Sequence, residues 1–420
     1  MKTKKPVFKS KSKKPSTHAG ATPQHSITAN KLLRCCGELA DSNSLLDEFA
    51  SSVRAAGLVG ETKNAQIIFL AVISRLLNRP VSVVVKGARS GGKNTVVESV
   101  LKFFSPLAYH QLTAMSEKAM AHFHEPLAHR TLVVTEAAGL KQGGDLFLRS
   151  LLSEGRISYD VVRGGRTCSV KLEGPTGLIL TTTEVKLYED DESRLISLDI
   201  IEDPDHTRDI LNSIGDGFAD PSRRKKKKVP QSWLSLLEWI AIRPPEVRIP
   251  FAPSVTRLLC GSDTRLHRDV NALFGLVCAH ALLHRRKRKL DSKGHLLATL
   301  DDYKAVRHLV HDVIARGIGS AVSPSVRRVV DAVKRLSNGA TGVSGRALAA
   351  DLGIHRAGIS RHIKDAMGIG YVKNLEAGKG KTAQYVVGDL MPADTAVLPL
   401  AKAVDRHHRE RKAKRKSEAA

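Results

Sequence analysis

The five cysteines of this 420-residue chain, Cys35, Cys36, Cys168, Cys260 and Cys278, form no C-x-x-C pair. Neither a disulfide framework nor a zinc knuckle is therefore expected. Long apolar runs are missing too: none reaches the roughly 18 residues needed to span a bilayer, and the basic N-terminus lacks an apolar signal core. Those absences point away from the membrane and toward a cytoplasmic protein.

Acidic residues are scarce where basic ones are dense. Residues 1–18 carry seven lysines and no acid, Arg223 to Lys228 are six successive cations, Arg285 to Lys289 are five, and residues 402–420 hold eight bases against three acids. These segments account for nearly all of the formal charge of +25 and leave the remainder close to neutral. Clustered bases form a footprint for polyanions, nucleic acid first and an anionic membrane surface second, although solvated solubility tails are the plainer account of any one cluster. The hydrophobic content of 42% is ordinary for a globular protein, and the length suits two to three domains.

Residues 1–27, rich in Lys, Ser, Pro and Thr, cannot bury enough apolar surface to order themselves and are expected to be a disordered basic arm. Helical spacing begins near Asn30 and continues through Leu45, Leu46, Phe49 and Val53, then through an apolar helix from Ile67 to Leu77 that stops before Pro80. Next comes Val81-Ser-Val-Val-Val-Lys-Gly87-Ala-Arg-Ser-Gly91-Gly92-Lys93-Asn94-Thr95, a β-branched run, a glycine-rich turn and a helix opening on a lysine. This is the layout of a phosphate-binding loop. Gly87, Gly91 and Gly92 lack Cβ atoms, so the backbone can take positive φ and bring N–H groups up to a phosphate. The helix dipole points at the same anion, and Lys93 adds a full charge where β- and γ-phosphates would lie.

The residue after Lys93 should be Ser or Thr, whose hydroxyl holds Mg²⁺, and here it is Asn94. Thr95 has the hydroxyl but sits about 100° further round the helix. Either Asn94 lends its amide oxygen to the metal, or metal binding is weak.

Arg130 to Glu136 reads as a short buried strand ending in a carboxylate. In P-loop ATPases this strand carries Asp for the metal and often Glu for the attacking water. Thr135 stands in the Asp place, so Glu136 serves alone or shares with Asp145. Gly177 to Thr183 is a further buried strand ending in hydroxyls, and Arg194 precedes another, Leu195 to Ile201. Beyond Asp203 the pattern turns helical, with His280 and His284 four apart. No third ligand is evident, so they are expected to be core or capping histidines. His110, His122, His124 and His129 likewise lack metal-ligand spacing.

Ser323-Pro-Ser marks a boundary. Val326, Val329, Val330, Val333 and Leu336 follow helical spacing, Ser344 caps a short helix broken at Gly353, and His355 to Met367 forms a third. The third helix carries Ile359, Ile363 and Ala366 on one side and Arg356, Ser360, Arg361 and Lys364 on another. Two strands, Tyr371 to Glu376 and Thr382 to Val387, enclose a basic turn with Lys379 and Lys381.

The order of phosphate loop, Val-Val-Thr-Glu136-Ala-Ala-Gly-Leu, Glu154-Gly-Arg, Gly174-Pro-Thr-Gly-Leu-Ile-Leu-Thr-Thr-Thr183 and Glu192-Ser-Arg194-Leu resembles the AAA+ ATPases. More closely, it resembles the primase/helicase-associated ATPases of phages and mobile elements. The resemblance covers roughly residues 55–315. It implies an α/β P-loop three-layer sandwich (28–204) with a helical lid (205–320), while residues 321–390 resemble a winged helix-turn-helix and 391–420 form a basic tail.

It further implies ATP and Mg²⁺ as cofactors and a ring-like or hexamer-like homo-oligomer. Lys93 and Glu136 would act in cis, Thr182 or Thr183 would sense the γ-phosphate, and Arg194 would reach a neighbouring subunit's site as an arginine finger. A surface ion-pair role is the plainer account of Arg194. The third helix would enter a DNA major groove, with Lys379 and Lys381 on the backbone. The function implied is that of a DNA-associated ATPase, a helicase or helicase loader that meets other replication proteins. The alternative is a nucleotide-gated DNA-binding regulator without significant turnover.

Overall fold

The computed structural model describes residues 23–89, 91–112, 126–135, 150, 156–163, 166–183, 194–200, 204–220, 228–259, 265–317, 324–337, 342–376, 382–389 and 397–418. Expectations for residues 1–22, for Glu136 and Asp145, for most of the 223–228 block and for Lys379 and Lys381 lie outside these.

Five strands form one parallel sheet: β1 (Val83–Lys86), β2 (Tyr109–Leu112), β3 (Arg130–Val134), β6 (Thr176–Thr182) and β7 (Ile196–Asp199), in the order β2-β3-β6-β1-β7. Val83, Val84 and Val85 are all fully buried, as a central parallel strand covered on both faces requires. Between β3 and β6 the chain makes a two-stranded antiparallel hairpin, β4 (Arg156–Arg163) and β5 (Arg166–Glu173), paired along its full length from Arg156↔Glu173 to Arg163↔Arg166.

Helices α1 (Pro23–Ala40), α2 (Leu45–Ala55), α3 (Thr62–Ile73) and α4 (Lys93–Leu101) accompany the sheet. α1 thus begins inside the span expected to be a disordered arm. α3 is buried nearly all round, from Ile67 to Ile73, and so occupies the middle of the core. Ser74 then turns the chain toward β1: its hydroxyl donates to Ala71 O (2.6 Å) and accepts from Val81 N–H (2.7 Å).

After β7 come α5 (Pro204–Ala219), α6 (Gln231–Ala241), α7 (Ala252–Arg257), α8 (Leu266–Leu283) and α9 (Leu300–Gly317). The expected break between core and lid is not a break in packing. Trp233 of α6 stands edge-on to Phe49, Phe69 and Phe103 with centroids 5.8 to 6.1 Å apart, and a Cβ at Gly275 of α8 would come 2.6 Å from Val81 Cγ2. Apolar residues from both halves belong to one core, each fully buried large side chain contributing about 1.5–3 kcal/mol.

The cations Arg285 to Lys289, expected as part of a polyanion footprint, are mostly engaged within the chain. Arg285 lies over the Trp239 ring (4.3 Å) and donates to the carbonyls of Trp239, Ile240 and Ile242 at the end of α6. Arg286 pairs with Asp41 (2.8 Å), and Lys287 donates to Asn43 Oδ1 (2.5 Å). Arg288 makes a two-pronged pair with buried Asp302, at 2.9 and 2.6 Å. The same carboxylate takes His280 Nδ1 at 2.6 Å and Thr299 N–H at 2.7 Å. Burial opposes its charge, but the bonds from His280 and Arg288 outweigh that and hold its carboxyl well below the usual range. Burial, and next the nearby His280, push His284 down to about 3. His280 and His284 are both buried, the core position expected of them; among the described residues no group of three or more His, Cys, Asp or Glu could hold a metal ion.

Residues 324–389 have a second, separate core. α10 (Pro324–Leu336), α11 (Gly345–Leu352) and α12 (Arg356–Ile369) pack beside a small antiparallel sheet in the order β8 (Val343–Ser344), β10 (Gln384–Val387), β9 (Val372–Asn374). Ser344 Oγ accepts from Ala347 N–H, and Gly353 ends α11 at φ 64°, the cap and break expected from sequence.

The final stretch departs from the expected basic tail. Val397, Leu398 and Val404 are buried in the first core, Tyr303 donates to Pro399 O (2.7 Å), and Arg307 Nε donates to Leu398 O (3.0 Å). α13 (Ala401–Glu418) then packs on α7 and α9.

Candidate functional site

The turn from β1 into α4 is closed by its own lysine. Lys93 Nζ donates to Gly87 O (3.0 Å) and Ala88 O (2.6 Å), so one ammonium, 8% exposed, bridges the first two carbonyls of the loop. Gly91 N–H donates to Ala88 O at 3.2 Å and tightens the same turn. Gly92 sits at φ 87° directly before the helix, a conformation that strains any residue with a Cβ. The positive φ expected at all three glycines occurs only there. Gly87 and Gly91 are crowded instead: an added Cβ would stand 3.1 Å from Ile200 Cβ at Gly87 and 3.1 Å from Ala88 O at Gly91. Val96 N–H makes a helical bond to Gly92 O, so Asn94 and Thr95 occupy the first turn, whose N–H groups an α-helix directs toward an anion.

Asn94 and Thr95 diverge. Thr95 is exposed, whereas Asn94 is half-buried and its Oδ1 accepts the hydroxyl of Thr181 on β6 at 2.9 Å. Thr181 was not among the expected site residues. An amide oxygen has two lone pairs, so Asn94 can still face a second donor or a cation. Thr182 is buried at the end of β6 and pairs across with Lys86, the last residue of β1; Thr183 is exposed one residue on. Because β6 lies between β1 and β3, the ends of all three strands converge beside the loop, and Thr135, buried just after β3, leads into Glu136 in sequence.

Arg194 lies at the other end of the sheet. β7 runs parallel to β1 with Ile196 opposite Val83 and Asp199 opposite Lys86. Arg194 therefore lies before the start of β7, at the end of the sheet away from the loop.

On α12, Ile359, Ile363 and Ala366 are buried in the second core, while Ser360 and Lys364 are exposed and Arg361 is half-buried. The helix thus has the two-sided character expected of it. The hairpin β4–β5 was missed at the sequence level, although Gly164-Gly165 between two strand-like runs is a hairpin signal. β8 was missed because two residues carry no periodicity. Among the described residues no helix is long and apolar enough to cross a membrane. No family model and no curated protein matches the chain.

Proposed function

We propose that this chain is an ATP-hydrolysing, DNA-associated P-loop ATPase of the AAA+ type, with a helical lid and a winged helix-turn-helix over residues 324–389. The observation that carries the reading is the lysine-braced loop at the end of the central strand, with Thr182 beside it and the end of β3 one strand further. The residues suit a nucleoside triphosphate: Gly92 and the first turn of α4 offer N–H groups, and Lys93 offers a cation. Asn94 is the residue that would face Mg²⁺, which when bound supplies charge neutralisation on the phosphate oxygens. Lys93 holds the phosphates in line, Glu136 orients the water and accepts its proton, and Thr182 hydrogen-bonds near the transferring group. Arg194 acts on a neighbour's site, since it lies at the sheet end away from its own loop. α12 lies in the major groove with Arg356, Ser360, Arg361 and Lys364 toward the DNA, and Lys379 and Lys381 follow the backbone.

ATP turnover by the full chain with and without DNA tests the reading, with severalfold stimulation expected. Turnover at background with duplex, forked and single-stranded DNA alike would replace the motor with a nucleotide-gated regulator. The Thr181–Asn94 bond favours that second reading, since it occupies part of the metal-side oxygen.

Asn94→Ser separates the two. It removes one hydrogen bond, at a stability cost of about 1 kcal/mol, and should preserve or raise Mg²⁺-dependent turnover. A magnesium titration of the variant checks this, and collapse of activity would assign asparagine a specific role. For the DNA-binding unit, Arg361→Ala should weaken duplex binding by about 1–3 kcal/mol if the side chain meets a base edge. A binding isotherm at fixed salt measures it, and unchanged affinity would remove Arg361 from the interface.

A further inference from the structure

α13 is the most basic helix of the chain, and its only apolar residue larger than alanine is Val404. Val404 is fully buried, so the one apolar side of the helix is already used in packing on α7 and α9. Just before it, the bonds from Tyr303 to Pro399 O and from Arg307 to Leu398 O hold the start of the helix against the first core. The opposite side presents Lys402, Arg406 and Arg409 at i, i+4 and i+7, all exposed, with Arg409 paired to Asp405 at 2.7 Å.

Further along, the helix meets the last residue of α7. Half-buried Arg411 has exposed Arg415 one turn on and exposed Arg257 of α7 beside it; burial, and then these two guanidiniums, hold Arg411 below its ordinary range. Burial, and then Lys412 and Arg411, push His408 down in the same way. Among the described residues no carboxylate pairs with Arg257, Arg411 or Arg415. Guanidiniums gathered from two helices without a counter-charge suit a bridging anion, and their planar forks match phosphate oxygens.

We propose that α13 and Arg257 form a second DNA contact, built on the first core, that grips the phosphodiester backbone without reading bases. A membrane surface fits less well, because a helix lying in a lipid interface needs a free apolar face and that of α13 is covered. The helix rises about 20 Å from Lys402 to Arg415, the length of roughly six duplex steps at 3.4 Å each. The contact rests on the DNA-associated reading for the kind of polyanion, and on neither α12 nor the nucleotide loop.

The test is binding of a fluorescent random-sequence duplex by the full chain between about 50 and 200 mM salt. Arg257→Gln/Arg411→Gln/Arg415→Gln should weaken binding about tenfold or more at the low-salt end. It should also flatten the plot of log affinity against log salt by about 2 to 3, three phosphates at about 0.9 each. Arg257→Gln alone, at an exposed residue, should flatten it by about 0.9, and melts of both variants separate lost contact from lost fold. Arg361→Ala is measured alongside: if it binds like wild type while the triple variant does not, α12 leaves the DNA reading and the α13 contact stands. Wild-type affinity and salt slope in both glutamine variants overturn the proposal, as does a wild type that binds no duplex. Capture of phosphatidylserine vesicles through the same arginines, with duplex binding indifferent to them, overturns it in favour of a membrane surface.

Discussion

Lys93→Ala is expected to lower ATP turnover by about 10²-fold or more and to weaken nucleotide binding in parallel. The lysine contributes a charge at the phosphates and also braces the loop through Gly87 O and Ala88 O, so its loss removes both a ligand and a support. The fold should survive, because Ala88 is only half-buried and the turn keeps its Gly91 to Ala88 backbone bond. Lys93→Arg should not rescue activity, since a planar fork cannot stand in for a compact ammonium between two carbonyls. Steady-state turnover, titration with a fluorescent ATP analogue and a thermal melt of each variant check the three parts. Unchanged affinity and turnover in a folded Lys93→Ala protein would remove the phosphate-loop assignment.

Arg194→Ala should lower turnover by about 10³-fold with little change in nucleotide affinity, as expected of a cation that acts on transition-state charge. The parallel register puts Arg194 and the loop at opposite sheet ends, so under the proposed reading the effect passes between chains. Mixing Arg194→Ala with Glu136→Gln should therefore recover part of the activity by creating one intact interface. In an assembly shown to exchange subunits, absence of recovery would return Arg194 to an ordinary surface ion pair.

The features legible in sequence were those written in consecutive residues. The β-branched run, the glycines and the helix opening on Lys93 are contiguous, and so are the Ser344 cap and the Gly353 break. Strand order was not legible, because which strand lies beside β1 depends on pairings nearly a hundred residues apart, such as Val83 with Ile179. Charge misled for a related reason. Arg285 to Lys289 look like a patch when counted along the chain, yet Asp41, Asn43, Asp302 and the end of α6 reach four of them from elsewhere. In the last segment the density of lysine and arginine masked Val397, Leu398 and Val404, three apolar residues that decide its packing. The glycines were assigned one reason where the loop has two, since crowding against Ile200 and Ala88 leaves no mark in a single sequence.

The burial of Val397 and Leu398 beside Tyr303 and Arg307 changes what residues 324–389 are mechanically. The chain leaves the first core at the end of α9 and is back in it at Val397, so this unit is an insertion anchored at both ends. Anchoring at both ends restricts the range of orientations it can sample. A force applied to this unit would be felt at two points on α9, at its end and again near Tyr303. Cutting the chain after β10 would therefore do more than remove basic charge: it would take core residues away and leave the insertion attached on one side only.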